Sequence, residues 1–176
     1  MKFMSASRVT ALLAVWFTNT LFAPGQAQLV IDVTGAGASR IPIAIAEFSG
    51  DRVVSQALTS VVRSDLERSG LFKLIDITTP VGAGDTPPYA DLKARGADAV
   101  LGGSVSPVAD GRYETRLLLA DVPKQTAIAT QSYAHTSGQL RATAHRISDF
   151  VYSKLTGEPG IFSTRIAYIV KTGKRY

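Results

Sequence analysis

The chain has 176 residues, with 19 Lys and Arg against 14 Asp and Glu, a formal charge of +5, two histidines and no cysteine. The lack of cysteine excludes a disulfide scaffold, a Cys-ligated zinc or iron–sulfur site and a thiol nucleophile. With 45% hydrophobic and 19% charged residues, the composition is that of one domain able to bury a core, and no run of clustered basic residues marks a nucleic-acid surface.

Met1 to Arg8 is short and positive, Val9 to Phe22 is a mostly apolar stretch of 14 residues, and Ala23-Pro24-Gly25-Gln26-Ala27 follows. These are the three regions of a secretory signal peptide. The alternative, a retained membrane anchor, needs roughly 18 or more apolar residues, and Thr18, Asn19 and Thr20 interrupt this stretch. Small residues at Gly25 and Ala27 place the cut after Ala27, so export leaves Gln28 as the new N-terminus. Without Lys2 and Arg8 the charge balance falls to 17 against 14, or +3.

Gln28 to Val33 alternates and is β-prone, and Ile41 to Phe48 alternates again after a turn region at Gly35, Gly37 and Ser39. From Asp51, a candidate N-cap, Val54, Ala57, Leu58, Val61, Val62 and Leu66 recur at helical spacing, and Gly70 stands where the helix should end. Leu71 to Ile77 reads as a strand, Thr78 to Pro88 as a loop, and Tyr89 to Arg95 as a short helix closed by Gly96. Ala97 to Val108 reads as a buried strand in which Gly102 and Gly103 permit close backbone approach or a bulge. Asp110-Gly111 is the strongest hairpin signal in the chain, leading to the strand Arg112 to Val122. A turn at Pro123, Lys124 and Gln125 then gives the strand Thr126 to His135. From Ser137, a candidate cap, to Gly157, the residues Leu140, Ala144, Ile147, Val151 and Leu155 fall on one helical face, with Arg141, Arg146 and Asp149 on an opposite face expected to be solvated. Ile166 to Val170 reads as one more apolar strand. The pattern predicts an α+β domain with helices packed on a mixed β-sheet.

Catalytic constellations are not legible. Gly35-Ala36-Gly37 leads into a strand instead of the helix a dinucleotide site needs, and Gly82-Ala83-Gly84 sits in a Pro-rich loop. A metal site needs three or more ligands with a second shell, so His135 and His145 read as surface or boundary histidines and not as metal ligands. Asp32, Glu47 and Asp51 are candidates for a carboxylate pair at one end of the sheet, but capping explains Asp51 and strand-end solvation explains Asp32. No catalytic residue, cofactor, metal or small-molecule substrate is expected. What remains is binding. Leu29, Val30, Ile31, Asp32 and Val33, freed by signal cleavage and joined through Thr34 to Ser39, can add a strand to a partner's sheet. They can equally pair with their own sheet as an ordinary edge strand. A second class is an exported module that holds an anionic or lipid surface through Arg141 and Arg146. A third is a hydrolase built on His135 and His145.

Several stretches together resemble the TolB family, the periplasmic component of the Tol-Pal system. They are Leu29-Val30-Ile31-Asp32, Arg40 to Phe48, Asp65-Leu66-Glu67-Arg68-Ser69-Gly70-Leu71-Phe72, Gly96 to Gly103 with the Asp110-Gly111 hairpin, and the specific run Lys154 to Val170 around Gly157-Glu158-Pro159-Gly160-Ile161-Phe162. The resemblance implies a signal peptide over 1–27, an N-terminal α+β domain over 28–160, and over 161–176 the first strand of a β-propeller that this sequence does not contain. It further implies a non-enzymatic adaptor in which Leu29 to Val33 recruits the C-terminal domain of TolA, while the propeller binds the lipoprotein Pal. The system supports outer-membrane invagination at cell division and outer-membrane integrity.

Overall fold

The computed structural model describes residues 40–164 together with Ala167, Ile169, Val170 and Gly173. The leader 1–27 and the segment Leu29 to Val33 lie outside the described residues, as do Ile166 and Tyr168 of the expected last strand. Ala167, Ile169 and Val170 carry no regular secondary structure.

In chain order the elements are β1 (Ile41–Ile45), β2 (Ser49–Gly50), α1 (Arg52–Arg68), β3 (Phe72–Ile75), α2 (Tyr89–Ala94), β4 (Ala99–Val108), β5 (Arg112–Asp121), β6 (Thr126–Thr136) and α3 (Leu140–Thr156). The sheet order is β3-β1-β4-β5-β6, with β2 also against β4. β1 runs parallel to both β3 and β4, whereas β4, β5 and β6 form an antiparallel meander. The sheet is therefore mixed, and its hand-over from parallel to antiparallel pairing falls on β4.

Strand alternation divides the core between two faces. Ile43 and Ile45 of β1, Leu101 and Val105 of β4 and Leu117 and Leu119 of β5 face α1 and α3, where Leu58, Val62, Leu66, Ile147 and Val151 meet them. On the other face Ala44, Val100, Leu118 and Ala120 pack with Leu92 of α2. The helical stripe read from α3 is the buried one: Ala144, Ile147 and Val151 are 0% exposed, and Leu140 and Leu155 pack against the same cluster. Arg141 and Arg146 are exposed as expected.

The ends of the long helices follow local chemistry. Asp51 caps α1, its Oδ1 accepting from the Val54 amide at 3.0 Å, a contact worth about 0.5–2 kcal/mol. For α3 the cap lies one residue earlier than expected. Thr136, not Ser137, forms a reciprocal capping box with Gln139, and a single 3-10 turn, Ser137–Gln139, leads into the helix. In that arrangement each side chain accepts from the other residue's backbone amide, which a cap at Ser137 would not achieve. Gly157 closes α3 with φ +80°, a left-handed geometry that costs a Cβ-bearing residue energy. At the hairpin, Asp110 (φ 60°) and Gly111 (φ 65°) supply the paired positive φ that a right-twisted two-strand turn demands.

β1 and β2 form one interrupted strand. Ala46 still donates to Leu101 O at 2.9 Å, and pairing with β4 resumes at Ser49↔Ser104. In the gap the 78–88 loop enters the sheet: the Gly103 amide donates to Val81 O at 2.8 Å, and the Val81 amide reaches Glu47 O at 3.4 Å. The two central glycines of β4 make room for this. A Cβ on Gly102 would lie 2.8 Å from both Val81 Cγ1 and Val81 O, and one on Gly103 would lie 2.9 Å from the Phe48 ring and 3.1 Å from Arg116 O. Gly103→Ala is therefore expected to destabilise the domain by about 1–3 kcal/mol through overpacking, seen as a lower urea midpoint with an unchanged slope. Gly84→Ala, at a position with nothing within 4 Å, should leave the midpoint in place.

Candidate functional site

The partner-binding residues read from the sequence, Leu29, Val30, Ile31, Asp32 and Val33, lie outside the described residues. The described chain begins at Arg40 and enters β1 directly, so the segment ahead of it is joined to a strand that has neighbours on both sides. Of the three acids expected near one end of the sheet, Asp32 is outside the described residues, Glu47 is exposed and Asp51 is the α1 cap.

Of the two histidines read as surface or boundary residues, His145 is half-buried at a boundary and His135 is in the core. His135 is 1% exposed. Its Nδ1 lies 3.2 Å from Thr136 O and its Nε2 2.8 Å from Thr115 Oγ1. A carbonyl only accepts, so Nδ1 carries the proton and Nε2 accepts from the threonine hydroxyl. Tyr113 stacks on the ring at 5.9 Å. This histidine is a satisfied core residue of β6.

His145 belongs to a polar cluster between the two long helices. Asp65 of α1 has a side chain only 3% exposed, and three donors surround it. His145 Nδ1 donates to Oδ2 at 2.7 Å, Ser148 Oγ donates to the same oxygen at 2.9 Å, and Arg68 Nη2 donates to Oδ1 at 3.0 Å. A buried carboxylate is costly unless its lone pairs are filled, and here both oxygens are. Asp65 is in the wrong kind of position for an acid, on the buried stripe with Val62 and Leu66. That was the available sequence signal. Arg68 stands three residues on, but the other two partners, His145 and Ser148, lie 80 and 83 residues away, so no local spacing reveals them.

The cluster borders two adjoining clefts of about 350 and 360 Å³ that share His145 and Phe162. A nucleophilic triad needs the hydroxyl on the imidazole's free nitrogen. Ser148 instead bonds Asp65 and Ala144 O, so the serine shares the acid with His145 and is not activated by it. Among the described residues no group of three or more His, Cys, Asp or Glu is placed to hold a metal. The arrangement joins helices.

Asp149, expected on a solvated face, is engaged: it accepts from the Phe162 amide at 2.7 Å and the Ser163 amide at 3.1 Å, and from the Ser163 hydroxyl. The acid turns toward chain beyond the helix, which the helical period cannot show. Nearby, Tyr133 donates its hydroxyl to Arg146 O at 3.4 Å. Partial burial pushes the Tyr133 phenol above its usual 10, with Arg146 opposing and Asp149 adding to the rise.

These features define the class: an α+β domain with two long helices on one face of a mixed sheet, joined by a buried carboxylate. The model of the TolB amino-terminal domain matches residues 29–128, and the chain belongs to that family. The Tol-Pal system protein TolB of Aromatoleum aromaticum is 56% identical over 154 residues, covering 86% of this chain and 36% of its own length. The Tol-Pal system protein TolB of Dechloromonas aromatica is 47% identical over 166 residues, covering 94% of this chain and 39% of its own length. The crystal structure of TolB from Acinetobacter baumannii superposes with a TM-score of 0.61 at 32% identity, over 71% of this chain and 30% of that one. The chain thus spans less than half the length of these relatives.

Two outcomes follow. Asp65→Ala takes the acceptor from the buried side of the His145 imidazole and leaves the Ser148 hydroxyl only Ala144 O, and is expected to cost about 1–3 kcal/mol in chemical denaturation, with Asp65→Asn costing less. Because the folded-state pKa of Tyr133 is raised, its contribution is whole below the unfolded phenol's value of about 10 and is lost as pH rises through the folded value. Tyr133→Phe should flatten the fall of the urea midpoint above about pH 10.

Proposed function

We propose that this chain is a non-enzymatic adaptor of the Tol-Pal system, exported to the periplasm after cleavage behind Ala27, that binds the C-terminal domain of TolA through Leu29, Val30, Ile31, Asp32 and Val33. The binding mode is strand addition: main-chain hydrogen bonds supply affinity and alternate side chains supply specificity. Through this contact the domain supports outer-membrane invagination at division and outer-membrane integrity.

Membership of the TolB amino-terminal domain family, with a match that begins at residue 29, is the observation that carries the reading. Two features agree with it. Leu29 to Val33 is hydrophobic and rich in β-branched residues, as suits an added strand. The buried polar cluster of Asp65 with His145 and Ser148 joins two helices. Contact with Pal is assigned in this reading to the β-propeller whose first strand is expected over 161–176, and not to the α+β domain.

Calorimetric titration of residues 28–176 with the TolA C-terminal domain, beside the same chain beginning at Thr34, tests the assignment. Binding by the longer form alone, with matching circular dichroism for both, is the expected result. Equal binding by both would remove Leu29 to Val33 from the interface.

A further inference from the structure

α3 carries two adjacent polar residues that hold opposite things. Ser148 points inward to Asp65, and Asp149 holds the chain that follows the helix. After Gly157 the backbone doubles back and lies along α3. Asp149 Oδ1 accepts from the Phe162 amide at 2.7 Å, and Oδ2 accepts from the Ser163 amide at 3.1 Å and from its hydroxyl. A single carboxylate therefore caps two successive amides, as a side chain caps the first turn of a helix. Thr164 closes the turn by donating its hydroxyl to Ile161 O at 2.7 Å. The backbone can lie this close only because residue 160 has no side chain: a Cβ there would sit 2.3 Å from Asp149 Oδ1 and 2.4 Å from its Cα.

The second fastening is aromatic. The Phe162 ring meets Tyr152 edge-on at 5.8 Å, and Tyr152 meets Phe72, the first residue of β3, edge-on at 6.1 Å. Phe162 also walls both clefts that open beside His145. Ile161, just ahead of both fastenings, is 68% exposed. The described residues of this stretch belong to no strand or helix, so one carboxylate, one ring, one close glycine contact and the Glu158 amide on Thr156 Oγ1 at 3.2 Å hold them. A segment attached by so few contacts opens at low free energy, independently of the global fold.

We propose that residues 158–164 are a releasable strap with Asp149 as its catch. Docked, the strap fixes the point and direction at which the chain leaves the domain, beside the face where α3 joins α1. Released, it uncovers Tyr152 and the His145 side of the cleft. Such a segment has two discrete arrangements, the requirement for a conformational device. The proposal is independent of the TolA contact and uses none of its residues.

Residue-resolved amide hydrogen exchange on the full chain tests it, comparing the parent with Asp149→Ala and Gly160→Ala. The first removes the catch and the second wedges the backbone off an intact carboxylate, so both should release the same strap. The Phe162 and Ser163 amides should then exchange on the order of ten- to a hundredfold faster, and the Tyr152 ring signals should shift. Ile147 and Val151 in α3 and Leu117 and Leu119 in β5 should keep the parent rates. Unchanged Phe162 and Ser163 rates in both variants would overturn the proposal, as would a parent in which those amides are already unprotected. Loosening of α3 and β5 in step with the strap would also overturn it, by making Asp149 part of the global fold.

Discussion

Everything in this domain is arranged around the backbone of β4 at Gly102 and Gly103. β4 is where parallel pairing with β1 and β2 gives way to antiparallel pairing with β5. At that point the strand receives Val81 against Gly102 and the Phe48 ring against Gly103. Side chains there would force the loop or the ring away and break the stitch that carries hydrogen bonding across the gap in β1. Well-packed interiors do not absorb such displacements. Position 82 extends the same constraint. Its amide bonds Asp85 Oδ2, the next amide bonds Ser104 Oγ, and Ser49 Oγ bonds Ser104 Oγ, all within 2.7–2.9 Å. A stretch that reads as an ordinary Gly- and Pro-rich loop is in this way part of the sheet.

The helical layer is held on different terms. Apolar burial supplies its bulk, but two helices on a sheet can slide while keeping much of that burial, since the hydrophobic effect has no direction. Asp65 removes the freedom. Its two oxygens take donors from α1 and α3 at fixed angles, so one mutual placement of the helices satisfies a charge that would otherwise be stranded. Asp149 then uses the outer side of α3 to place the next stretch of chain. Two carboxylates, one inward and one outward, set what apolar packing leaves loose.

The sequence was readable where the governing contact is local. The stripe Leu140, Ala144, Ile147, Val151 and Leu155, the Asp51 cap and the Asp110-Gly111 hairpin all depend on residues within a turn or two, and each stands where its pattern placed it. The paired glycines of β4 were legible as a close approach, though nothing local named Val81 as the group approaching. What could not be read is tertiary. The acid that His145 bonds is Asp65, 80 residues upstream, and not Asp149 at helical spacing, which looks solvated because its own partners follow the helix end. Thr136 displaced Ser137 as the cap because Gln139 lies at the right distance from the former alone. The candidate binding segment, Leu29 to Val33, was drawn from alternation and family resemblance and lies outside the described residues.

The position of β1 has a mechanical consequence. Whatever precedes Arg40 is tethered to a strand clasped between β3 on one side and β4 on the other. Tension drawn along that strand from its start loads both rows of hydrogen bonds in shear, so they share the force, whereas an edge strand pulled sideways would peel one bond at a time. An anchor point of this kind lets the domain be pulled by its leading segment without unravelling.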